Sequence, residues 1–197
     1  MTRAPTFIGS EIYRRSRYGD KHPLAIPRVS AVMDLCRALN WLDDSCYVES
    51  RVATRAELLT FHRPDYIDAL IRAEQGELRS LDERRRYNIG LNGNPIFGEI
   101  FSRPATACGA TLTAVEMLAA EPGVVYSPAG GTHHGRPGHA SGFCYLNDPV
   151  VGILAFLEKG FERVFYLDVD AHHCDGVQDA FHGDPRVLTV SVHEAGR

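Results

Sequence analysis

Short apolar runs alternate along this chain with longer segments in which apolar residues recur every three or four positions. The short runs are rich in β-branched and aromatic residues, which predicts strands, and the longer period predicts helices that bury one face. The predicted strands are residues 6–8, 48–52, 124–126, 164–167 and 187–192. The predicted helices are residues 27–40, 54–61, 63–73, 104–120, 149–159 and 176–181, with predicted loops over 10–27 and 76–102.

This alternation is typical of an α/β domain with three layers and a mostly parallel sheet. No internal repeat or linker interrupts the 197 residues, so we expect a single domain over 1–197. The buried face of the first predicted helix is expected at residues that keep a spacing of three and four, namely Val32, Leu35, Cys36 and Leu39.

The strongest chemical signal is the stretch from Arg163 to Gly176, where a predicted buried strand changes abruptly into polar residues. Asp168, Asp170 and His172 follow at a spacing of two, so an extended chain sends their side chains to the same face. Charged groups crowded at a buried strand end need a partner, and a divalent cation is one. Carboxylate oxygen with imidazole nitrogen suits zinc best, with iron or manganese as alternatives. The alternative to a metal site is a solvated turn after the strand, without a bound ion.

Polar clusters follow three of the predicted strands, at residues 127–134, 168–175 and 191–194. The carboxyl ends of parallel strands share one edge of a sheet, and the sites of open α/β proteins lie outside that edge. We therefore expect the three clusters to meet in one site.

The first of these clusters contains adjacent histidines, His133 and His134, in a glycine-rich loop. Imidazole suits proton transfer near neutral pH, and glycine lets the backbone approach a ligand closely. Each imidazole needs a partner on its other nitrogen, and Asp168 and Asp175 are available for that purpose. A surface loop is the alternative interpretation. The remaining histidines considered are expected on loops or at the surface, namely His62, His139 and His182.

Composition narrows the class of protein further. The chain is 44% hydrophobic with a net charge of −4, and it contains no long basic block that would predict a nucleic-acid partner. Its five cysteines are scattered, without C-x-x-C spacing, which favours a reducing compartment. The first residues show no apolar signal region, and no apolar run approaches the roughly 20 residues of a membrane span. We expect a cytoplasmic protein without a nucleic-acid or membrane partner.

Four motifs, in order along the chain, carry a family resemblance. They are GGTHH at residues 130–134, ASGFCYLND at 140–148, DVDAHHCDGVQ at 168–178 and LTVSVH at 188–193. Together they resemble the zinc-dependent histone deacetylase superfamily, and residues 143–148 are most similar to class I deacetylases and the bacterial acetoin-utilisation branch. The resemblance implies an α/β fold of arginase/deacetylase type that hydrolyses an N-acetyl amide, either acetylated lysine or a small acetylated amine.

The resemblance also implies metal sites. Asp170 and His172 match two of the family's zinc ligands. A potassium ion, held partly by backbone oxygens, is expected at Asp168, Asp170, His172, Ser191 and Val192.

The tandem histidines take the proton-transfer roles that the resemblance implies. His134 is the expected general base and then acid, and Asp175 is expected to orient it. His133 is expected to assist electrostatically, oriented by Asp168. The substrate contacts implied are a wall of the acyl-lysine tunnel at Gly142 and Phe143, and an internal-channel arginine at Arg28.

The chain departs from the family pattern in three places. The family's third zinc ligand, an aspartate, and its transition-state tyrosine lie beyond the strand that ends near His193, and residues 195–197 contain neither. The resemblance therefore covers the N-terminal half of the family fold, and we expect a sheet truncated at the C-terminus. Gly93 stands where many relatives have an aspartate that grips the substrate backbone, which favours a small acetylated amine. Cys174 replaces a common glycine and is expected to be a neutral variant.

Two classes of function remain open. The first is a zinc-dependent deacetylase that uses metal-activated water, with its missing part supplied by a homo-oligomer or a complementing C-terminal chain. The second is a catalytically inactive fragment or pseudoenzyme that acts as a binding or complementing chain. A di-metal ureohydrolase of arginase type fits residues 168–173 less well.

Overall fold

Five strands form two parallel sheets in the computed structural model, which describes residues 4–19 and 22–196. The strands are β1 (Thr6–Gly9), β2 (Tyr47–Glu49), β3 (Val125–Tyr126), β4 (Val164–Asp168) and β5 (Val187–Ser191). The first sheet has the order β2-β1-β3, and the second pairs β4 with β5. The parallel pairing expected from the sequence is confirmed, and in the described residues the hydrogen bonds divide it between two sheets.

Helices connect the strands and carry the sequence signals that start them. They are α1 (Ile12–Arg15), α2 (Arg28–Ala38), α3 (Arg55–Leu58), α4 (Pro64–Glu74), α5 (Leu81–Tyr87), α6 (Ser102–Ala120), α7 (Asp148–Glu158) and α8 (Asp175–Phe181). Helix α3 starts with a capping box, in which Thr54 and Glu57 each accept the other's backbone amide. The Asn147 side chain accepts the amide of Val150 at 3.1 Å and so caps α7, with Pro149 in its first turn.

Both predicted loops contain helical structure. Helix α1 and a 3₁₀ turn at Pro23–Ala25 interrupt residues 10–27, of which 20 and 21 lie outside the described residues. Helix α5 lies within residues 76–102; it starts where the Ser80 hydroxyl accepts the Glu83 amide and ends at Asn88, whose φ is +52°. Helix α5 was not predicted, because its residues are mostly charged and show no apolar period.

The predicted buried face of α2 is wrong in part. Leu35 and Leu39 are 57% and 44% exposed, and the helix buries Met33 instead. Met33 packs in a small cluster with Phe7 and Leu42. Several faces of this helix have apolar residues at the required spacing, and the narrow contact with β1 selects the face that contains Met33.

Strand β4 was predicted to be buried, and it is buried on one face only. Phe165 and Leu167 are 62% and 52% exposed. Val164 and Tyr166 point the other way and pack against buried side chains of α7 and α8. A strand alternates its side chains between two faces, and the described residues cover only one face of this sheet.

Small residues let α6 pack closely against neighbouring backbone. The segment before α3 touches this helix directly, because the Ala53 amide donates to the Ala105 carbonyl at 2.9 Å. A Cβ on Gly109 would lie 1.9 Å from the carbonyl oxygen of Arg51. Only glycine fits at this contact, and it allows α6 to join the main core together with α4 and α7.

All five cysteines are free, and Cys108, Cys144 and Cys174 are buried. Among the residues described, no helix combines the length and apolar character needed to cross a membrane.

Replacing Gly109 with alanine should destabilise the chain, even though alanine is the better helix former, because its methyl group would collide with a backbone carbonyl. We expect the unfolding free energy, measured in urea, to fall by about 1–3 kcal/mol. Gly98→Ala is the matched control, because nothing lies within 4 Å of its Cβ position. Equal unfolding midpoints for the two variants would contradict the close approach of α6.

Candidate active site

The loop from Ser127 to Gly135 leaves β3 without regular structure, and the start of α7 holds it in place. The Asp148 carboxylate accepts the amides of Gly131 and Thr132 at 3.1 and 2.8 Å. The Asn147 side-chain amide donates to two carbonyls further along the loop at 3.0 and 2.9 Å. These two side chains give the loop backbone the partners that buried peptide groups require.

The first imidazole–carboxylate pair joins this loop to the end of β4. His133 Nδ1 lies 2.7 Å from Asp168 Oδ2, and both residues are buried. Asp168 also accepts the Tyr166 hydroxyl at 2.5 Å and the Asp170 amide at 2.9 Å. Burial alone would raise the pKa of Asp168, but these hydrogen bonds outweigh it and hold the pKa below its ordinary value. An ionised carboxylate can only accept, so His133 carries a proton on Nδ1, and Nε2 is the nitrogen with the lone pair whenever the ring is neutral.

The second pair joins the same loop to the first turn of α8. His134 Nδ1 lies 2.6 Å from Asp175 Oδ1, and the Arg136 guanidinium donates to Asp175 Oδ2 at 2.6 Å. Burial would raise the pKa of Asp175, but the hydrogen bond from His134 and the Arg136 charge outweigh burial. The net pKa lies below its ordinary value, so the carboxyl stays ionised. Arg136 also binds Asp179, one turn further along α8. His134 therefore takes the same tautomer as His133.

The two imidazoles lie side by side, with ring centroids 4.0 Å apart, and both line a cavity of about 670 Å³. The expected meeting of the polar clusters is confirmed for the first two, because His133 contacts Asp168. The third cluster adjoins the second, because Asp168 pairs with Ser191 in the β4–β5 register, but residues 191–194 do not line the cavity. Other predicted site residues that line the cavity are Arg28, Gly142, Phe143, Asp170 and His172.

The wall beside His134 depends on an unusual backbone. Gly142 has φ +53°, and a Cβ there would lie 2.4 Å from His134 Cδ2. Phe143 has φ +68°, which costs a non-glycine residue about 1–2 kcal/mol, and its amide donates to Asn94 Oδ1 at 2.9 Å. A Cβ on Gly93 would lie 2.6 Å from the Phe143 ring. The Phe143 ring therefore fills the space that a side chain at position 93 would need.

Asp170 and His172 are exposed donors at the same cavity. His172 Nδ1 lies 2.9 Å from Asp170 Oδ1, and the His172 ring centroid lies 5.8 Å from that of His134. Carboxylate oxygen and imidazole nitrogen suit zinc. However, no three His, Cys, Asp or Glu side chains within residues 4–19 and 22–196 come together in a way that could hold a metal ion. The pair fits zinc in donor type and falls short of it in donor number.

The remaining predicted site residues lie at two edges of this arrangement. Ser191 ends β5 opposite Asp168, and the Val192 amide donates to the Asp168 carbonyl at 2.9 Å. Both lie outside the cavity lining, whereas exposed Arg28 belongs to it, at the first residue of α2.

His62 was predicted on a loop or at the surface; it lies in the loop between α3 and α4, but its side chain is buried and only 2% exposed. Its ring lies between α3 and α4 and contacts the rings of Phe61 and Tyr66. Its burial was missed because it results from a distant segment folding over it, namely residues 127–137, which we call the histidine loop. His139 and His182 are exposed, as predicted.

The residues that hydrogen-bond to the two imidazole–carboxylate pairs or to the loop that carries them were not predicted as site residues. Tyr166 could have been found, because it lies two residues before Asp168 and so shares its strand face. Asn147 is a residue type that commonly caps helices, but its link to the loop has no local signal. Arg136 lies 39 residues from its partner Asp175, and nothing in the sequence indicates that contact.

Two imidazole–carboxylate pairs beside a cavity, at the carboxyl ends of parallel strands, define an α/β protein with an acid–base site. The sequence profile of the histone deacetylase domain matches residues 22–197. The chain is 38% identical to the acetoin utilization protein AcuC of Bacillus subtilis, over 99% of this chain and 50% of that protein. It is 40% identical to histone deacetylase 8 of Xenopus tropicalis, over 85% of this chain and 45% of that protein. The crystal structure of an HDAC homolog from Aquifex aeolicus matches with a TM-score of 0.92 and 42% identity, over 97% and 51% of the two chains.

The chain therefore belongs to the histone deacetylase family. The predicted fold of arginase/deacetylase type is confirmed. The chain spans about half the length of the relatives it matches, which agrees with the predicted match to the N-terminal half.

Replacing Gly142 with alanine should destabilise the chain, because the new methyl group would meet the His134 ring as well as a positive φ. We expect a double-mutant cycle of unfolding free energies to separate these costs. In a His134→Ala background the penalty of Gly142→Ala should fall by about 1 kcal/mol or more.

Gly160→Ala is the matched control for this cycle, because Gly160 has φ +90° and nothing lies within 4 Å of its Cβ position. Its penalty should be the same in both backgrounds. An equally unchanged penalty for Gly142→Ala would show that position 142 does not press on the imidazole.

Proposed function

We propose that this chain carries the proton-transfer part of the active site of a zinc-dependent deacetylase, which hydrolyses an N-acetyl amide to acetate and a free amine. The observation that carries the proposal is the presence of two imidazole–carboxylate pairs, 4.0 Å apart at one cavity, in a chain of the histone deacetylase family.

In this proposal His134 is the general base and then the general acid. Its Nε2 takes a proton from water as the water oxygen bonds to the amide carbonyl carbon, and it returns a proton to the nitrogen as the C–N bond breaks. Asp175 holds the Nδ1 proton and stabilises the imidazolium formed between these steps. His133 is more deeply buried than His134 and acts electrostatically beside it, through its own ionised partner Asp168.

We assign Asp170 and His172 as two donors of the zinc site, with the remaining donors supplied from outside the described residues. Both side chains line the cavity beside His134 and match zinc in donor type, which supports the assignment. Zinc bound there would polarise the amide carbonyl and make a bound water more acidic.

We further propose the potassium site at the ends of β4 and β5. The support is positional, because strand pairing places Asp168 and Ser191 opposite one another. The backbone amides of Asp170 and Val192 both donate to Asp168 at 2.9 Å. His172 completes the proposed set.

The proposed substrate is an acetylated lysine side chain or a small acetylated amine. Gly142 and Phe143 form the wall beside His134 that would contact the acyl chain, and Arg28 lines the same cavity. Position 93 has no carboxylate to hold a peptide backbone, and its space is taken by the Phe143 ring. This favours the small amine over a peptide.

A second candidate is an inactive chain that binds or complements another. The observation that favours it is the missing third metal donor within the described part of the chain.

The deciding experiment is a zinc-dependent deacetylation assay on acetyl-lysine and on an acetylated diamine. The full 197-residue chain is assayed alone and after co-expression with the C-terminal half of Bacillus subtilis AcuC. We expect hydroxamate-sensitive turnover in a preparation that contains this chain, and its loss by at least about 100-fold in His134→Ala. No turnover in either preparation would contradict the proposal and favour the second candidate, and undiminished turnover in His134→Ala would place the base elsewhere.

Zinc content tests the donor assignment separately. His172→Ala should remove most of the zinc from any preparation that binds it, because a site that loses one of few ligands loses most of its affinity. His173→Ala is the matched control, because its imidazole bonds to Gln178 Oε1 at 2.6 Å and lies outside the cavity lining. Equal zinc content in the two variants would remove His172 from the site.

A further inference from the structure

A buried histidine that the proposed chemistry does not use, His62, lies behind the tandem histidines. Its ring is held in a fixed orientation by two hydrogen bonds. The backbone amide of Asn147 lies 3.0 Å from Nε2, and the carbonyl of Arg136 lies 3.1 Å from Nδ1. A backbone amide can only donate and a carbonyl can only accept, so Nε2 holds the lone pair and Nδ1 carries the proton.

Burial favours the same neutral state. Desolvation lowers the pKa of His62 to about 4, so the ring is uncharged at neutral pH. Protonation of Nε2 would place a second N–H group against the Asn147 amide, where neither can accept. Nε2 is therefore occupied by the Asn147 amide and Nδ1 by the Arg136 carbonyl, so His62 cannot transfer protons in the site.

The two partners of His62 both hold the histidine loop. Asn147 Nδ2 donates to the carbonyls of His133 and Gly135 at 3.0 and 2.9 Å. Arg136, the next residue of the loop, binds the Asp175 carboxylate that orients His134. His62 thus connects Asn147, which holds the backbone at His133, to Arg136, which binds the carboxylate paired with His134.

The surrounding packing leaves this connection little freedom. The Arg63 amide donates to the Pro137 carbonyl at 2.8 Å, directly beside the His62 contact. On the far side of the loop, a Cβ on Gly176 would lie 2.3 Å from the His133 carbonyl oxygen. The loop is therefore held between the His62 segment and the first turn of α8.

We propose that His62 is a positioning residue for the tandem histidines. Its two hydrogen bonds hold the loop so that each imidazole stays within hydrogen-bonding distance of its carboxylate partner, Asp168 or Asp175. The inference rests on the proposed function only for the chemical role of those imidazoles. Its test observes the imidazoles directly, so a negative deacetylase assay would leave it standing.

The test follows the Nδ1 protons of His133 and His134 by proton NMR of the full chain labelled with ¹⁵N-histidine. Hydrogen bonds of 2.6–2.7 Å to carboxylates should give two low-field resonances that exchange slowly with water. His62→Phe keeps an aromatic ring but loses both hydrogen bonds, and we expect exchange of these protons to become at least about tenfold faster. His62→Gln supplies one donor and one acceptor and should keep both rates within about threefold of the parent chain.

His139→Phe is the matched control, because it makes the same change at an exposed position near the same loop. It should leave both resonances unchanged. Parent-like exchange in His62→Phe would overturn the proposal, and equal acceleration in the Phe and Gln variants would overturn the assignment to hydrogen bonds.

A second measurement covers the case in which His62→Phe fails to fold. In the uniformly ¹⁵N-labelled parent chain, the N–H···N hydrogen bond should give a scalar coupling between the Asn147 amide nitrogen and His62 Nε2. Absence of this coupling in the folded chain would overturn the proposal without any variant.

Discussion

The site depends on two carboxylates that remain ionised where burial opposes it. Asp168 and Asp175 do so because each receives several hydrogen bonds, and each uses one oxygen to hold the Nδ1 proton of a neighbouring imidazole. If either carboxylate took up a proton, the hydrogen bond that fixes the tautomer and ring orientation of the adjacent imidazole would be lost. The orientation of Nε2 in the cavity therefore depends on Asp168 and Asp175, which do not line the cavity.

The loop that carries the imidazoles has no regular structure, so its shape comes from its neighbours. Asp148 and Asn147 hold its backbone from the start of α7, and Arg136 ties its end to α8. Gly142 and Gly176 allow the close approach on either side. These contacts come from the start of α7, from α8 and from the segment around Gly142, so the geometry of the site is a property of the folded core and of no single motif.

Local patterns account for what could be predicted from the sequence. Strand and helix order follow from apolar periodicity, and the pairing of Asp168 and Asp175 with the two histidines follows from the need of each imidazole for a partner. The burial of His62 and the contact between Arg136 and Asp175 could not be predicted, because both arise from long-range packing. Helix α5 was missed for a different reason, because its residues are mostly charged and show no apolar period. The exposed face of β4 was predicted to be buried because Phe165 and Leu167 are apolar, although the described residues leave them exposed.

The tautomers of His133 and His134 test this account most directly. Long-range ¹H–¹⁵N correlation spectra of the folded chain at neutral pH distinguish a protonated Nδ1 from a protonated Nε2. We expect both histidines to carry a proton on Nδ1, with Nε2 as the unprotonated nitrogen of the neutral ring. A ring with its proton on Nε2 and none on Nδ1 would mean that its carboxylate does not accept from it, and the proposed acid–base chemistry would then lack its structural basis.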